Sequence, residues 1–389
     1  MFASSAAAVD WSQPWREPQD SGAAATSPDE YAWRLFVAVS WPARDAVHAA
    51  DATQSLGTDG AVVWENWKNA KEVYLDGALD PGAWDVQPAS NTAVAAERFE
   101  TLSLKEFARL RHIKHGVMVP TVDPIAAAKF ITEIRLNRAT FEFIRAQRLY
   151  DLDEQVKRFR DGTPVTFPVG AKEIKARWRP ISEAEKSRYH TLRVTLADGS
   201  VRLYGLTALH ILSKDLPNWF WATFEHVDNA TLPGSEGWLL KSADAFACGS
   251  EPADCNRAPA GIGLEGTVWQ NYRLRGTLTS FTDAQGQPRI LASSQLEARF
   301  QATSSCITCH ARASVGVVDG HPSRLAVFQN TPDLQVAGGQ QPVAFVGEPR
   351  PEWFYAATSS GRGNRLYLPL DFVWSLSKAH SGSQRDTVQ

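Results

Sequence analysis

The sequence predicts an α+β fold, with a helical N-terminal part, an antiparallel β meander in the middle and a helical C-terminal segment. Two observations carry this prediction. Apolar residues recur at helical spacing over much of the first 165 residues, and from about Lys172 the hydrophobic period changes to two. The 389 residues suffice for one large domain or two ordinary ones. We expect one integrated globular unit.

The N-terminal part divides into an arm and a helical region. Residues 1–30 are rich in Ala, Ser, Pro and Gln, which predicts an extended arm, and residues 31–165 are predicted to be mainly helical. Ser27-Pro28-Asp29-Glu30 has the pattern of an N-cap, a first-turn proline and a capping-box glutamate, so a helix is expected over 31–39. Further helices are predicted over 63–74, 104–115 and 141–159.

The region 166–293 alternates apolar and polar residues and is predicted to be an antiparallel β meander. Tight turns separate the alternating segments, as at Ala197-Asp198-Gly199-Ser200. The predicted strands lie within 171–181, 189–196, 201–212 and 218–227, and a further hairpin joins 267–281 to 288–293.

The stretch SSCITCHARAS, residues 304–314, places Cys306 three positions before Cys309 and follows it at once with His310. Three chemistries use closely spaced cysteines: a redox disulfide, half of a zinc site and a haem attachment point. A redox pair is expected beside a βαβ pattern, and a structural zinc needs a second ligand pair. The other two cysteines, Cys248 and Cys255, have no histidine between them.

A haem c site needs only the residues of this motif. Cys306 and Cys309 would form thioethers with the two vinyl groups, and His310 would ligate iron from the proximal side. The sequence therefore predicts one covalently attached haem c in the region 294–389. In that region we expect a helix over 294–300 before the motif and another over 371–379.

Beyond the motif, GLTALHILSK, PNWFWATFEHVDN and a terminal DFxxxLxxA segment accompany SSCxxCH. This combination resembles a family of large, mostly uncharacterised bacterial c-type cytochrome proteins, over most of the chain. The resemblance implies haem at Cys306, Cys309 and His310, and it implies no particular reaction.

The second axial position of the iron has several candidates, because no methionine follows His310. Met118 is the internal methionine and the candidate distal ligand. His321 follows the motif in a loop, and His112 and His115 close a predicted helix. His210 and His226 alternate with apolar residues on their strands. Together with Glu225 they are candidates for ligands or catalytic acid–base groups above an open iron.

Composition agrees with an exported protein. A leftover pair of cysteines, Cys248 and Cys255, predicts a disulfide in an oxidising compartment, so we expect a periplasmic or secreted protein whose signal peptide has been removed. The net charge of −3 gives no basic surface for nucleic acid. No window approaches 18 uninterrupted apolar residues, so no transmembrane segment is predicted.

These observations predict a haem-dependent redox protein that acts in electron transfer. Its partner would be a redox protein or a small-molecule electron donor or acceptor. The alternatives are a haem c enzyme of peroxidase or oxygenase type with an open distal iron, and a haem-based sensor of small ligands.

Overall fold

A computed structural model describes residues 9–44, 49–85, 113–114, 130–196, 198–231, 238–249, 254–298, 300–329, 335–336, 339–340, 343–358 and 361–382. These residues form a β-rich protein built from several mostly antiparallel sheets. The predicted α+β fold with helical ends is therefore wrong. Within these ranges only three helices reach nine residues, namely Pro28–Val39, Arg138–Ala146 and Leu152–Asp161.

The largest element is a seven-stranded sheet, here called the main sheet. Its spatial order is Tyr272–Leu278, Phe220–His226, Val201–Ser213, Lys172–Pro180, Ile131–Leu136 and Lys68–Asn69, and Thr191–Thr195 also pairs with Val201–Ser213. All of these pairings are antiparallel. The strands between 172 and 226 lie where the alternating pattern predicts them.

The two faces of the main sheet differ in chemistry. One face packs on the helix Pro28–Val39, with the ring centroids of Phe36 and Phe224 4.3 Å apart; we call it the helix-facing side. The opposite, motif-facing side carries a cross-strand row in which Lys175 pairs with His210 and His210 with Thr223. Directly paired residues share a face, so this polar row lies under the segment that contains the cysteine motif.

The N-terminal helix begins where predicted, but its cap differs. Ser27 is the N-cap residue and its side chain makes no capping hydrogen bond. Glu30, the expected partner, instead accepts a hydrogen bond from Nε1 of Trp11 at 3.0 Å. Within the predicted arm, Ser21–Thr26 is helical and buries Ala23 and Ala24.

Two predicted helices are interrupted by local hydrogen bonds. The helix predicted over 63–74 is a 3₁₀ turn, a two-residue strand and a short helix, because Asn69 starts a new capping box with Glu72. The helix predicted over 141–159 is broken around Arg148, which has φ of 52°. Asp151 then caps a second helix by accepting the Asp153 amide at 2.9 Å. The helix predicted over 104–115 lies outside the described residues, except that Ile113–Lys114 is a strand.

The C-terminal region is mostly β rather than helical. The short helix Cys306–Ala311 leads directly into a second sheet, in the order Tyr367–Pro369, Ser314–Val318, His321–Leu325 and Ile113–Lys114. Residues 294–298 form turns rather than the predicted helix, because the Ser293 hydroxyl and the Glu297 carboxylate bind nearby backbone amides that a helix would use. The last predicted helix is only a 3₁₀ turn, Trp374–Lys378.

The remaining elements are short. Small antiparallel pairs join Ala43–Arg44 to Ala49–Ala50, Phe328–Gln329 to Val343–Ala344, Gln335–Val336 to Gly339–Gln340 and Tyr355–Thr358 to Gly361–Arg365. Short helices cover Ala245–Cys248 and Pro351–Phe354, and 3₁₀ turns cover Asp76–Ala78, Glu183–Arg188, Val227–Thr231, Val268–Asn271 and Gln301–Thr303.

Among the described residues, no helix has the length and apolar character needed to cross a membrane. Cys248 and Cys255 lie at disulfide distance, with Cα atoms 5.9 Å apart. A disulfide is compatible with an oxidising compartment.

Candidate haem attachment site

The helix Cys306–Ala311 places the motif side chains on neighbouring positions of one surface. Cys309 and His310 lie three and four residues after Cys306, and residues at these spacings are neighbours on a helix. Both thiols are free. The geometry thus presents two sulfurs and an imidazole together.

These three side chains are partly buried. Each keeps an intermediate share of its surface accessible, yet burial is the largest cause of its pKa shift. Burial raises the pKa of Cys306 and raises that of Cys309 to about 12. It lowers the pKa of His310 to about 3. The surroundings of the motif therefore favour uncharged sulfur and neutral imidazole.

This environment disfavours the two competing chemistries of the motif. A redox dithiol needs a thiolate with a lowered pKa, whereas both pKa values here are raised. A structural zinc needs four thiolate or imidazole ligands. Over the described ranges, no group of three or more His, Cys, Asp or Glu is arranged to hold a metal ion.

The orientation of His310 is fixed by the backbone. Its Nδ1 lies 2.7 Å from the carbonyl oxygen of Phe372. A carbonyl can only accept, so Nδ1 carries the hydrogen and Nε2 keeps its lone pair. Nε2 has no hydrogen-bond partner among the residues that the structure describes. This is the second-shell arrangement that metal-ligating histidines adopt.

The turn that supplies this carbonyl is itself unusual and firmly anchored. Asp371 and Phe372 have φ of 48° and 69°, in the left-handed region that non-glycine residues rarely occupy. The Asp371 carboxylate accepts the Phe167 amide and the Lys214 ammonium, both at 2.7 Å. Nε1 of Trp374 donates to the carbonyl of Cys309 at 2.7 Å. Backbone strain held by such contacts is common at functional sites.

The main sheet lies against the motif. The ring of Trp221 lies 4.6 Å from that of His310. Sγ of Cys306 lies 3.4 Å from the carbonyl oxygen of Leu291, and the Thr223 side chain acts to lower the pKa of this thiol. Lys175 acts electrostatically on both Cys309 and His310.

A buried histidine–carboxylate pair adjoins the motif. Nδ1 of His210 lies 2.9 Å from Oγ1 of Thr223, and Nε2 lies 3.2 Å from Oε2 of Glu297. Burial would raise the pKa of Glu297, but the charge and hydrogen bond of His210, with the charge of Lys175, lower it below its ordinary value. Both nitrogens of His210 are therefore engaged, and this histidine is not free to ligate iron.

His226 lies away from the motif. It follows Phe224 by two residues, on the helix-facing side, and its ring stacks on Tyr189 with centroids 3.7 Å apart. Its Nε2 lies 2.9 Å from the carbonyl oxygen of Arg188, and the backbone amide of Asp228 donates to its Nδ1 at 3.2 Å. Burial lowers its pKa to about 4. These contacts give His226 a packing role and do not bring it to the haem motif.

The other candidates are not brought to the motif by the described residues. Glu225 lies on the motif-facing side, but it is fully buried in an ion pair with Arg273 at 3.3 Å. His321 is exposed at the start of its strand. Met118, His112 and His115 lie outside the described residues.

The donor atoms of the motif fit a covalently attached haem. Two uncharged sulfurs suit thioethers, and one neutral imidazole presents an unprotonated Nε2. Comparisons with protein-family models, curated proteins and solved structures found no match to this chain. The resemblance to bacterial c-type cytochromes therefore stays a prediction.

Sequence reasoning missed several residues around the motif, namely Lys175, Trp221, Thr223, Glu297, Phe372 and Trp374. For Lys175 and Thr223 a signal was present, since both alternate with apolar residues on predicted strands. Only the pairing register places them beside His210. The role of Phe372 involves its backbone, so no sequence pattern indicates it.

Proposed function

We propose that the protein is an exported monohaem c-type cytochrome that acts in electron transfer. The observation that carries the proposal is the 2.7 Å contact from Nδ1 of His310 to the Phe372 carbonyl. It leaves Nε2 unprotonated beside two free, uncharged thiols. This set of donors matches what a covalently bound haem requires from a protein.

In this proposal the chain binds and orients the group. Cys306 and Cys309 hold it through sulfur, and His310 supplies the proximal ligand. A haem bound there would supply one-electron chemistry at iron. The Trp374 hydrogen bond to Cys309 joins the motif helix to the C-terminal turn. The hydrogen bonds of Phe167 and Lys214 to the Asp371 carboxylate hold that turn in place.

Two observations support electron transfer as the leading activity. Neither His226 nor Glu225 offers a free acid–base group at the motif. The motif side chains also keep part of their surface accessible. A redox protein or a small-molecule donor or acceptor is the proposed partner. The Cys248–Cys255 pair supports a periplasmic or secreted location.

The test is expression with the c-type haem attachment machinery, followed by intact mass and visible spectra. We expect a mass increment of one haem and a spectrum that changes on reduction. Protein that passes through this machinery and carries no haem would overturn the proposal.

A second candidate function is a haem enzyme or ligand sensor with an open distal iron. The observation that favours it is the buried His210–Glu297 pair beside the motif, because such a pair can move a proton. Ferric protein that is high-spin, binds cyanide readily and consumes peroxide would favour the enzyme. A low-spin spectrum unaffected by these ligands would favour electron transfer.

A further inference from the structure

A buried ionic cluster lies on the motif-facing side of the main sheet. Glu225, Arg273 and Arg275 have at most 2% of their surface exposed. Oε2 of Glu225 lies 3.3 Å from Nη2 of Arg273 and 3.9 Å from Nε of Arg275. The other carboxylate oxygen accepts the backbone amide of Ser294. One carboxylate therefore directly contacts two guanidinium groups.

The hydrogen bonds of Arg275 are incomplete. Its Nε donates to the carbonyl oxygen of Ala292 at 3.4 Å. Its Nη1 and Nη2 are both buried and have no hydrogen-bond partner in the described structure. Arg273 is better satisfied, because its Nη1 donates to Asn256 and its Nη2 to Glu225, although its Nε also lacks a partner. Within the described structure, Arg275 is the member of the cluster in which two adjacent nitrogens, Nη1 and Nη2, both lack an acceptor.

An unpartnered guanidinium edge is costly inside a protein. Buried donors that lack an acceptor lose their hydration without replacement. Burial lowers the pKa of Arg275, and only Glu225 and the more distant Asp254 oppose this effect. Two parallel N–H groups in a plane match the two oxygens of a carboxylate, which they bind in bidentate fashion. The missing partner is therefore expected to be a carboxylate.

The position of Arg275 relates this edge to the haem motif. The carbonyl of Ala292 receives Nε of Arg275, and the preceding carbonyl, that of Leu291, contacts Sγ of Cys306. Successive carbonyls of one loop thus hold the guanidinium and the first attachment cysteine. Glu225 also lies two residues from Thr223 on the same strand face, and Thr223 acts on the Cys306 thiol.

We propose that the Nη1–Nη2 edge of Arg275 is a carboxylate-binding site. The inference rests on the proposed function, because haem carries two propionate carboxylates, and one of these is the partner that we assign. A small free carboxylate has the same chemistry and is the other possible source. Glu225 acts as the positioning residue that orients the guanidinium.

The test compares haem-loaded wild-type protein with Arg275→Gln, Arg275→Lys and the control Arg138→Gln, whose side chain is exposed. Removal of a cation beside a propionate favours ferric iron. We expect Arg275→Gln to lower the ferrous-to-ferric ratio at a fixed potential about tenfold, which is about 59 mV for one electron. Arg275→Lys keeps the positive charge but lacks the planar pair of N–H groups, so its shift in reduction potential should be smaller. Arg138→Gln should show no shift.

Resonance Raman spectra and acetate binding distinguish the two sources. A change in the propionate bending band in Arg275→Gln and Arg275→Lys supports the haem propionate. An unchanged band, with acetate raising the unfolding temperature of wild-type protein but not of Arg275→Lys, supports a free carboxylate. If Arg275→Gln does not fold, Arg275→Lys carries the same comparisons.

The outcomes separate this inference from the proposed function. Attached haem in every variant, with potential, propionate band and acetate response all as in wild type, overturns the carboxylate site and leaves the cytochrome proposal standing. Wild-type protein without haem overturns the cytochrome proposal. In that case acetate stabilisation that is lost in Arg275→Lys supports the carboxylate site, and its absence overturns it.

Discussion

Phe372 holds its backbone carbonyl 2.7 Å from Nδ1 of His310, although 62 positions separate the two residues in sequence. The contact fixes both the tautomer and the ring plane of the imidazole. It depends on a turn whose two residues occupy unfavourable backbone conformations. The side chains that anchor this turn should therefore affect His310, the proposed iron ligand, without contacting it.

Asp371→Ala should make the orientation of His310 less fixed, although Asp371 does not bind His310 itself. The substitution removes the acceptor of the Phe167 amide and the Lys214 ammonium, which anchor the turn. In protein that carries the proposed haem, we expect the haem to stay attached. Added imidazole should displace the proposed His310 ligand at about tenfold lower concentration, as for loss of other contacts that orient a metal ligand. The measurement is an imidazole titration followed by visible spectroscopy. Asp283→Ala, in an exposed turn, is the control; equal midpoints for both variants would contradict the anchoring role.

Cys306→Ala combined with Cys309→Ala should abolish covalent attachment. Intact mass should lose the haem increment, and acid–acetone should extract any haem that remains bound. The matched control is Cys248→Ala with Cys255→Ala, which removes the other cysteine pair and should leave the increment intact. Haem that stays attached in the first double variant would show that the motif is not the attachment site.

His210→Ala and His226→Ala should have different effects, because the two histidines lie on opposite faces of the main sheet. His210 pairs with Glu297 beside the motif, so its loss should change the visible spectrum or the reduction potential. His226→Ala should leave both unchanged. It should lower the free energy of unfolding by about 2 kcal/mol, as buried polar truncations do. A spin-state change in His226→Ala would contradict this placement.

The stability of the protein should fall at acidic pH, in part through His226. Burial lowers its pKa from 6.5 to about 4, so the unfolded state binds the proton more tightly. The stabilising contribution is complete above pH 6.5 and is lost as the pH falls from there towards 4. The loss is at most about 3 kcal/mol. Urea unfolding of wild type and His226→Gln measures the free energy of unfolding at each pH across this range. If this free energy changed with pH equally in both proteins, His226 would be excluded as the cause.

The sequence predicted the main-sheet strands between 172 and 226 because their alternation is strong and local, but it did not predict Lys68–Asn69 or Ile131–Leu136, which lie in the part expected to be helical. It did not predict the register that brings Lys175, His210 and Thr223 together, since register depends on the whole sheet. The predicted helices failed where side chains compete for the backbone, as Asn69, Asp151 and Ser293 do. The motif residues Cys306, Cys309 and His310 are recognisable because their spacing is local. Their surroundings come from distant strands and a turn, which no spacing reveals.

The C-terminal turn has a consequence for the turnover of a protein that carries the proposed haem. A protease that cut after Leu370 would leave both cysteines and His310 in place but would separate from them the Phe372 carbonyl that orients the ring. Such a clipped protein would keep the proposed haem and would pass a mass test for attachment. His310 would nevertheless have lost the contact that orients it as the proposed proximal ligand.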